Sequence, residues 1–188
     1  MEDCKAIFEG IYEKKAWGQG SGGGSDPENA APYVDFIERY LYHYQPSRVI
    51  DIGCGDLRIA AAIDFGSTRS AYFGYDVAQP EKLAKMSHGF ITWGFDVLRN
   101  YPTHADLVLC KEVLQHLSNA QVQLLLDRTA HYKRRLFTSM TGEGTNTDIP
   151  CGGSRPVDLS KAPFYQNCRT VLTYGTNATW IVQELTNP

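Results

Sequence analysis

Residues 49–56 read Val-Ile-Asp-Ile-Gly-Cys-Gly-Asp, an apolar run that carries one acidic residue and ends in a glycine-rich turn. A strand buried on both faces of a parallel sheet produces such a run, and the glycines allow a tight turn where the strand ends. In open α/β sheets, this position forms the crevice that binds nucleotides. The stretch therefore predicts a nucleotide-sized site at the carboxyl end of a buried strand.

Strands and helices alternate on both sides of this stretch. Apolar runs predict seven strands, at 48–52, 71–75, 90–93, 106–110, 136–139, 170–174 and 180–185. Helical patterns precede residue 45 and recur at 57–65, at 79–85 and after the Ser118–Gln121 capping box. We therefore expect an α/β fold with a Rossmann-like, doubly wound, mostly parallel seven-stranded sheet that closes with a C-terminal antiparallel hairpin.

The length of 188 residues suits one domain. Within it, we expect residues 1–47 to supply N-terminal helices and a glycine-rich flap that pack on a core of residues 48–188. The formal net charge of −3 gives no basic field that would attract nucleic acid or an anionic membrane. No apolar stretch approaches the ~18 residues that span a bilayer, and the Met1-Glu-Asp start differs from a signal peptide, so we expect a cytoplasmic protein.

The cysteines are scattered along the chain. They are Cys4, Cys54, Cys110, Cys151 and Cys168. No Cys-x-x-Cys pair occurs, so the spacing predicts neither a zinc site nor a disulfide framework. No His/Asp cluster has metal-ligand spacing either, and we expect no bound metal.

The charges around the glycine turn distinguish two classes of cofactor. A dinucleotide site uses Gly-x-Gly-x-x-Gly, but the third glycine is missing from Gly53-Cys-Gly55-Asp-Leu-Arg58. Asp51 and Asp56 also place negative charge where a pyrophosphate would lie. S-adenosylmethionine carries an ammonium and a sulfonium but no phosphate, so these carboxylates favour it as the cofactor.

Three further elements follow in the order that this cofactor requires. Asp76-Val77 ends the second strand, where a carboxylate can accept hydrogen bonds from both ribose hydroxyls. Asp96-Val97 follows the third strand and is placed to meet the adenine amino group, although a solvated loop residue is an equal interpretation of Asp96 alone. Lys111 ends the fourth strand, where backbone atoms should approach the cofactor.

In these motifs the chain resembles the class I S-adenosylmethionine-dependent methyltransferases, over about residues 49–185. It also resembles a small, single-domain, bacterial-type subgroup in three further stretches, at 17–25, 111–118 and 146–164. The resemblance implies that Asp51, Gly53 and Gly55 bracket the methionine part of the cofactor. It also implies the product S-adenosylhomocysteine. Leu57 departs from the common pattern, in which a further glycine often stands at that position.

Several residues are candidates for handling the acceptor. His116, in the loop after the fourth strand, has a reference pKa of about 6.5 that suits a general base, but it equally suits a residue that fixes the loop. Glu112 is a candidate to orient an amine or hydroxyl, and the alternative is an ion pair with Lys111 that shapes the loop.

The segment from Met140 to Pro163 is long enough to be a binding loop. In it, Asp148 is a second candidate base, and Asn146 and Arg155 are candidate substrate ligands, with Arg155 suited to grip an anion. The alternative is a surface loop that is held together by its own Arg–Asp pairing.

The glycine-rich segment 18–25 predicts a flap over the site. Trp17 and Tyr12 would then present aromatic faces near the sulfonium and the acceptor. We expect methyl transfer to an oxygen or nitrogen of a small-molecule acceptor, without nucleic acid or membrane partners. A protein or nucleic-acid methyltransferase and a non-catalytic cofactor-binding module are the alternatives.

Overall fold

The computed structural model describes residues 4–18, 20–86, 88–100, 102, 104–176 and 178–187. Its α-helices are α1 (Cys4–Glu13), α2 (Pro27–Tyr44), α3 (Arg58–Ala62) and α4 (Asn119–Thr129). Its strands are β1 (Arg48–Ile52), β2 (Ala71–Asp76), β3 (Phe90–Trp93), β4 (Leu107–Lys111), β5 (Arg134–Met140), β6 (Arg169–Tyr174) and β7 (Trp180–Thr186). Within the described residues, none of the helices is long and apolar enough to cross a bilayer.

One seven-stranded sheet organises the chain, in the order β3-β2-β1-β4-β5-β7-β6. Strands β1 to β5 pair in parallel, and β7 runs antiparallel to both β5 and β6. The predicted fold class and the C-terminal hairpin are therefore confirmed, although Asn177 of the predicted turn lies outside the described residues. The chain reverses its direction of travel across the sheet at β1 and β4, which is the switch point where open sheets bind ligands.

Alternate residues of the central strands bury themselves on opposite faces of this sheet. Ile50 and Val108 pack with α1 and α4, whereas Val49 and Leu107 pack with α2 and α3. Both faces are thus covered, and the strands read as continuous apolar runs for that reason. The carboxyl ends of the central strands are left as the place where a ligand can approach the sheet.

The predicted helix at 79–85 is wrong. Residues 79–86 contain no helical turn, and the Ala84 amide donates to the Asp56 carbonyl at 2.8 Å. The segment is therefore drawn out toward the turn after β1, which a helix over the same residues would not reach. In contrast, the capping box is confirmed, because the Gln121 amide donates to Ser118 Oγ and the Ser118 amide donates to Gln121 Oε1.

The cysteine spacing predicts no disulfide framework, but the structure contains one disulfide. Cys4 and Cys151 are bonded, with 6.0 Å between their Cα atoms. The two residues lie 147 positions apart, so no local spacing reveals the pair. Cys54, Cys110 and Cys168 are free thiols.

Candidate active site

A cavity of about 370 Å³ opens at the carboxyl ends of β1, β2 and β4. This volume is within the range of about 300–1,000 Å³ that is typical of small-molecule sites. Residues from α1 and from the glycine-rich segment cover it. The covering side chains include Cys4, Phe8, Tyr12, Trp17 and Ser21.

The two predicted glycines shape the floor of the cavity. Gly53 has φ +74°, and a Cβ there would lie 2.2 Å from Val113 Cγ2, so no side chain fits. Gly55 has φ +56°, which directs its amide to the Asp76 carboxylate at 2.8 Å. The turn thus needs glycine for both conformation and space.

Asp51 and Asp76 are buried in the cavity wall. The Tyr72 hydroxyl donates to Asp51 at 2.7 Å, and the Gly55 and Ala78 amides donate to Asp76. Burial nevertheless raises the pKa of each carboxyl to about 6. A bound cation or hydroxyl donor would relieve this cost, because it replaces the water that burial removed.

Asp56 is tied to the cover. Its carboxylate accepts from the Ser21 amide at 2.9 Å and from Arg58 Nε at 2.8 Å, and its amide donates to Ser21 Oγ. Arg58 also pairs with Asp26 at 2.7 Å. Asp56 therefore anchors the glycine-rich segment, and its predicted contact with the cofactor remains a prediction. Ser21 and Arg58 lie in the glycine-rich segment and at the end of the glycine turn, but neither was predicted as a site residue.

The predicted cofactor residues that follow β2 and β3 line the same cavity. Val77, Asp96 and Val97 all line the cavity. Asp96 accepts from the Leu98 amide at 2.8 Å and pairs with Arg99 at 3.1 Å. The fixed turn holds the Asp96 backbone at the rim.

At the end of β4, the predicted ion pair between Lys111 and Glu112 is present. Lys111 Nζ also donates to the Gly24 carbonyl at 2.8 Å, which attaches the cover to the sheet. The Trp180 indole donates to Glu112 Oε1 at 2.6 Å. Both carboxylate oxygens of Glu112 thus have protein partners, and its backbone has φ +57°, a conformation that costs a non-glycine residue free energy.

His116 faces the cavity as a neutral imidazole. Its Nδ1 lies 2.8 Å from the Gly153 carbonyl, which only accepts, so we assign the proton to Nδ1 and the lone pair to Nε2. Burial lowers the pKa of His116, which favours this neutral form. The Trp17 ring stacks on the imidazole at 4.5 Å between centroids, and Gln115 Nε2 lies 3.4 Å from His116 Nε2.

Arg155 does not reach the cavity. It is 4% exposed, and its guanidinium donates to the carbonyls of Leu114, Leu117 and Thr147 and to the Asn119 side chain. The geometry leaves it no role as an anion clamp. The alternative, pairing with an aspartate of its own loop, is present only as an electrostatic interaction with Asp148, because the hydrogen-bond acceptors of Arg155 are carbonyl and amide oxygens.

Asn146 and Asp148 likewise hold the loop. The Asn146 amide group donates to the carbonyls of Asp158 and Ala162, and Asp148 accepts from the backbone amide of Asn119 at 2.7 Å. Neither residue lines the cavity. Instead, the loop contributes Ser154 to the cavity lining, and its Gly153 carbonyl holds His116 Nδ1; neither residue is charged, and neither was predicted.

The fold that this sheet and crevice define is that of the class I S-adenosylmethionine-dependent methyltransferases. The N-methyltransferase NodS of Bradyrhizobium japonicum, solved with S-adenosyl-L-homocysteine, is similar at 15% identity and a TM-score of 0.68, over 96% of this chain and 98% of that one. Magnesium protoporphyrin IX methyltransferase of Synechocystis PCC 6803 is similar at 14% identity and a TM-score of 0.65, over 98% and 100%. A 1,6-didemethyltoxoflavin-N1-methyltransferase of Burkholderia thailandensis is similar at 14% identity and a TM-score of 0.66, over 97% of this chain and 87% of that one. No protein-family model and no curated protein sequence matches this chain.

Replacing Arg155 with Met should reduce stability. The change removes four donor contacts and leaves their carbonyl and amide oxygen acceptors unpaired. We therefore expect a loss of roughly 2–4 kcal/mol in the free energy of unfolding. Urea denaturation measures it. Arg39→Met, at an exposed position on α2, is the control and should change stability by less than about 0.5 kcal/mol. A stable Arg155→Met protein that lost only affinity for an anionic acceptor would contradict the assignment.

The buried carboxylates should make the ligand-free protein less stable as pH rises. The pKa of Asp51 is about 6 in the fold against an ordinary 3.8, so between pH 4 and 6 the folded state binds more protons than the unfolded chain. The free energy of unfolding therefore falls through that window, and the full cost applies above pH 6. We expect Asp51→Asn to remove the cost of burying the Asp51 charge. The variant should therefore be more stable than the wild type at pH 7.5 by on the order of 2 kcal/mol.

Urea unfolding at pH 4.5 and pH 7.5 measures this effect. Asp127→Asn, on the exposed side of α4, is the matched control and should leave the pH dependence unchanged. Equal stability of the Asp51→Asn and wild-type proteins at both pH values would refute the assigned cost of burial.

Proposed function

We propose that this protein is an S-adenosylmethionine-dependent methyltransferase that acts on an oxygen or nitrogen of a small-molecule acceptor. The observation that carries the proposal is the pair of buried carboxylates, Asp51 and Asp76, beside the glycine turn in one covered cavity. The similarity to solved methyltransferases supports the same conclusion through the fold.

The chemistry of the cavity fits this cofactor. The carboxylates of Asp51 and Asp76 suit a cationic ligand with hydroxyl groups and disfavour a phosphate. The cavity-lining ammonium of Lys111 is already paired with Glu112 and Gly24. In the proposal, Asp51 holds the ammonium end, Asp76 accepts from the ribose hydroxyls, and Asp96 with Val97 flanks the adenine. When bound, S-adenosylmethionine supplies a methyl group on a sulfonium. A nucleophile attacks this methyl carbon, and S-adenosylhomocysteine is the leaving group.

The protein then has to align the acceptor and exclude water, and orientation alone can lower a barrier by about 7–11 kcal/mol. Within residues 4–47, α1 and the glycine-rich segment act as the cover in this proposal, with Phe8, Tyr12 and Trp17 as its aromatic lining. His116 Nε2 takes the proton of the acceptor, because Nδ1–H is held by Gly153. Glu112 and Trp180 border the acceptor space at the end of β4.

A small acceptor is favoured over a macromolecule. The cover leaves a cavity of about 370 Å³ rather than an open groove, and the chain carries a net charge of −3. The similar structures named above include enzymes whose named substrates are small molecules, a porphyrin and a toxoflavin precursor. We therefore propose a metabolite as the partner and do not expect nucleic acid to bind.

Cofactor binding should depend on Asp76. We expect calorimetric titration to show binding of S-adenosylmethionine and of S-adenosylhomocysteine, weakened roughly 10–100-fold by Asp76→Asn because two charge-assisted hydrogen bonds are lost. Asp127→Asn should bind as the wild type does. A wild-type protein that binds neither compound at millimolar concentration would exclude both catalysis and a cofactor-sensing role.

Turnover should depend on a neutral His116. Its pKa lies below the ordinary 6.5, so kcat at saturating cofactor should rise with pH to a plateau that is reached by about pH 7. For a hydroxyl acceptor, we expect His116→Gln to lower kcat by about 10²–10⁴-fold and to abolish this acidic limb, while affinity for S-adenosylhomocysteine changes little. An unchanged pH profile in the variant would show that His116 only fixes the loop.

A further inference from the structure

A disulfide joins α1, which covers the cavity, to the loop after β5. Cys4 belongs to α1 and Cys151 to the loop after β5, and both are buried. Cys4 lines the cavity, whereas Cys151 lies behind it. The bond therefore connects the cover to the body of the protein at the site itself.

On the side of Cys4, the bond holds a helix whose cavity face is continuous. Cys4, Phe8 and Tyr12 are spaced four residues apart, so they form one stripe along α1, and all three line the cavity. The chain then runs on to Trp17, which stacks on His116. Displacing α1 would open the cavity along the length of this stripe.

On the side of Cys151, the bond reaches the backbone that orients the imidazole. The Gly152 amide donates to the His116 carbonyl at 2.8 Å, and the Gly153 carbonyl accepts from His116 Nδ1 at 2.8 Å. A Cβ on Gly152 would lie 2.4 Å from Ile7 Cγ2, so α1 packs directly against this backbone. Whatever loosens α1 therefore also loosens the support of His116.

We propose that Cys4 and Cys151 are a thiol–disulfide switch that locks α1 over the cavity when oxidised and releases it when reduced. Disulfides that form in reducing compartments are usually transient or redox-sensing, whereas in oxidising ones they persist. Only the consequence for cofactor exchange rests on the proposed function; the locking of α1 does not.

The exchange chemistry balances with a small thiol as the reductant. Its thiolate attacks Cys4 Sγ, which is the sulfur on the cavity wall, and the S–S bond breaks with Cys151 leaving as a thiolate. A second thiol resolves the mixed disulfide, which frees Cys4 and yields a small-molecule disulfide. The protein gains two electrons and two protons, and oxidised glutathione reverses both steps.

Amide hydrogen exchange on the full chain, without any ligand, tests the lock. The protein is equilibrated with oxidised glutathione or with dithiothreitol, and peptide mass mapping reports the state of each cysteine. We expect a Cys4–Cys151 linked peptide after oxidation, and on reduction a rise of at least about tenfold in the exchange rates of residues 5–13 with β1 and β4 unchanged. Cys151→Ser should behave as the reduced protein in both conditions, and Cys168→Ser should behave as the wild type.

The proposal fails if Cys4 and Cys151 stay free thiols in oxidised glutathione, or if α1 exchanges equally fast in both states of the wild-type protein. A second arm measures the dissociation rate of S-adenosylhomocysteine by stopped-flow fluorescence, and we expect it to be at least about tenfold faster after reduction. Equal dissociation rates in the two states would limit the switch to the helix. Absence of any binding would refute the proposed function and leave the exchange result standing.

Discussion

Two carboxylates, held side by side without bulk water, are the constraint on which the rest of this structure depends. Asp51 and Asp76 end adjacent strands, so the sheet itself sets their separation. Burial opposes their charge, and the protein offsets that cost only in part, through the Tyr72 hydroxyl and the amides of Gly55 and Ala78. A ligand that donates hydrogen bonds or positive charge to these carboxylates therefore stabilises the fold. This links cofactor affinity to stability.

The cover follows from the same constraint. Water is kept from the carboxylates by a segment that is too rich in glycine to pack by itself, so it is attached by polar contacts at both ends. Asp56 holds Ser21 and Arg58 holds the Gly22 carbonyl on one side, and Lys111 holds Gly24 on the other. Asp56, which the sequence pattern assigns to the cofactor, thus also holds the cover in place.

Local sequence patterns were sufficient to predict the structure wherever a single strand or a single turn determines it. The seven strands follow from apolar runs, and the positions of Asp51, Gly53, Gly55 and Asp76 follow from the ends of two strands, because parallel strands place their carboxyl ends on one edge. The failures share a different cause. Arg155 and the Cys4–Cys151 bond depend on contacts between distant segments, which no spacing in the sequence encodes.

The sequence also left two interpretations of His116, a base or a support for its loop, and the geometry makes the two compatible with one another. The hydrogen bond from Nδ1 to the Gly153 carbonyl fixes the loop, and the same bond commits the proton to Nδ1 and leaves the lone pair on Nε2. Burial beneath Trp17 then keeps the ring neutral. Because Gly153 lies two residues from Cys151, the contact that orients the proposed base also connects His116 to the position of α1.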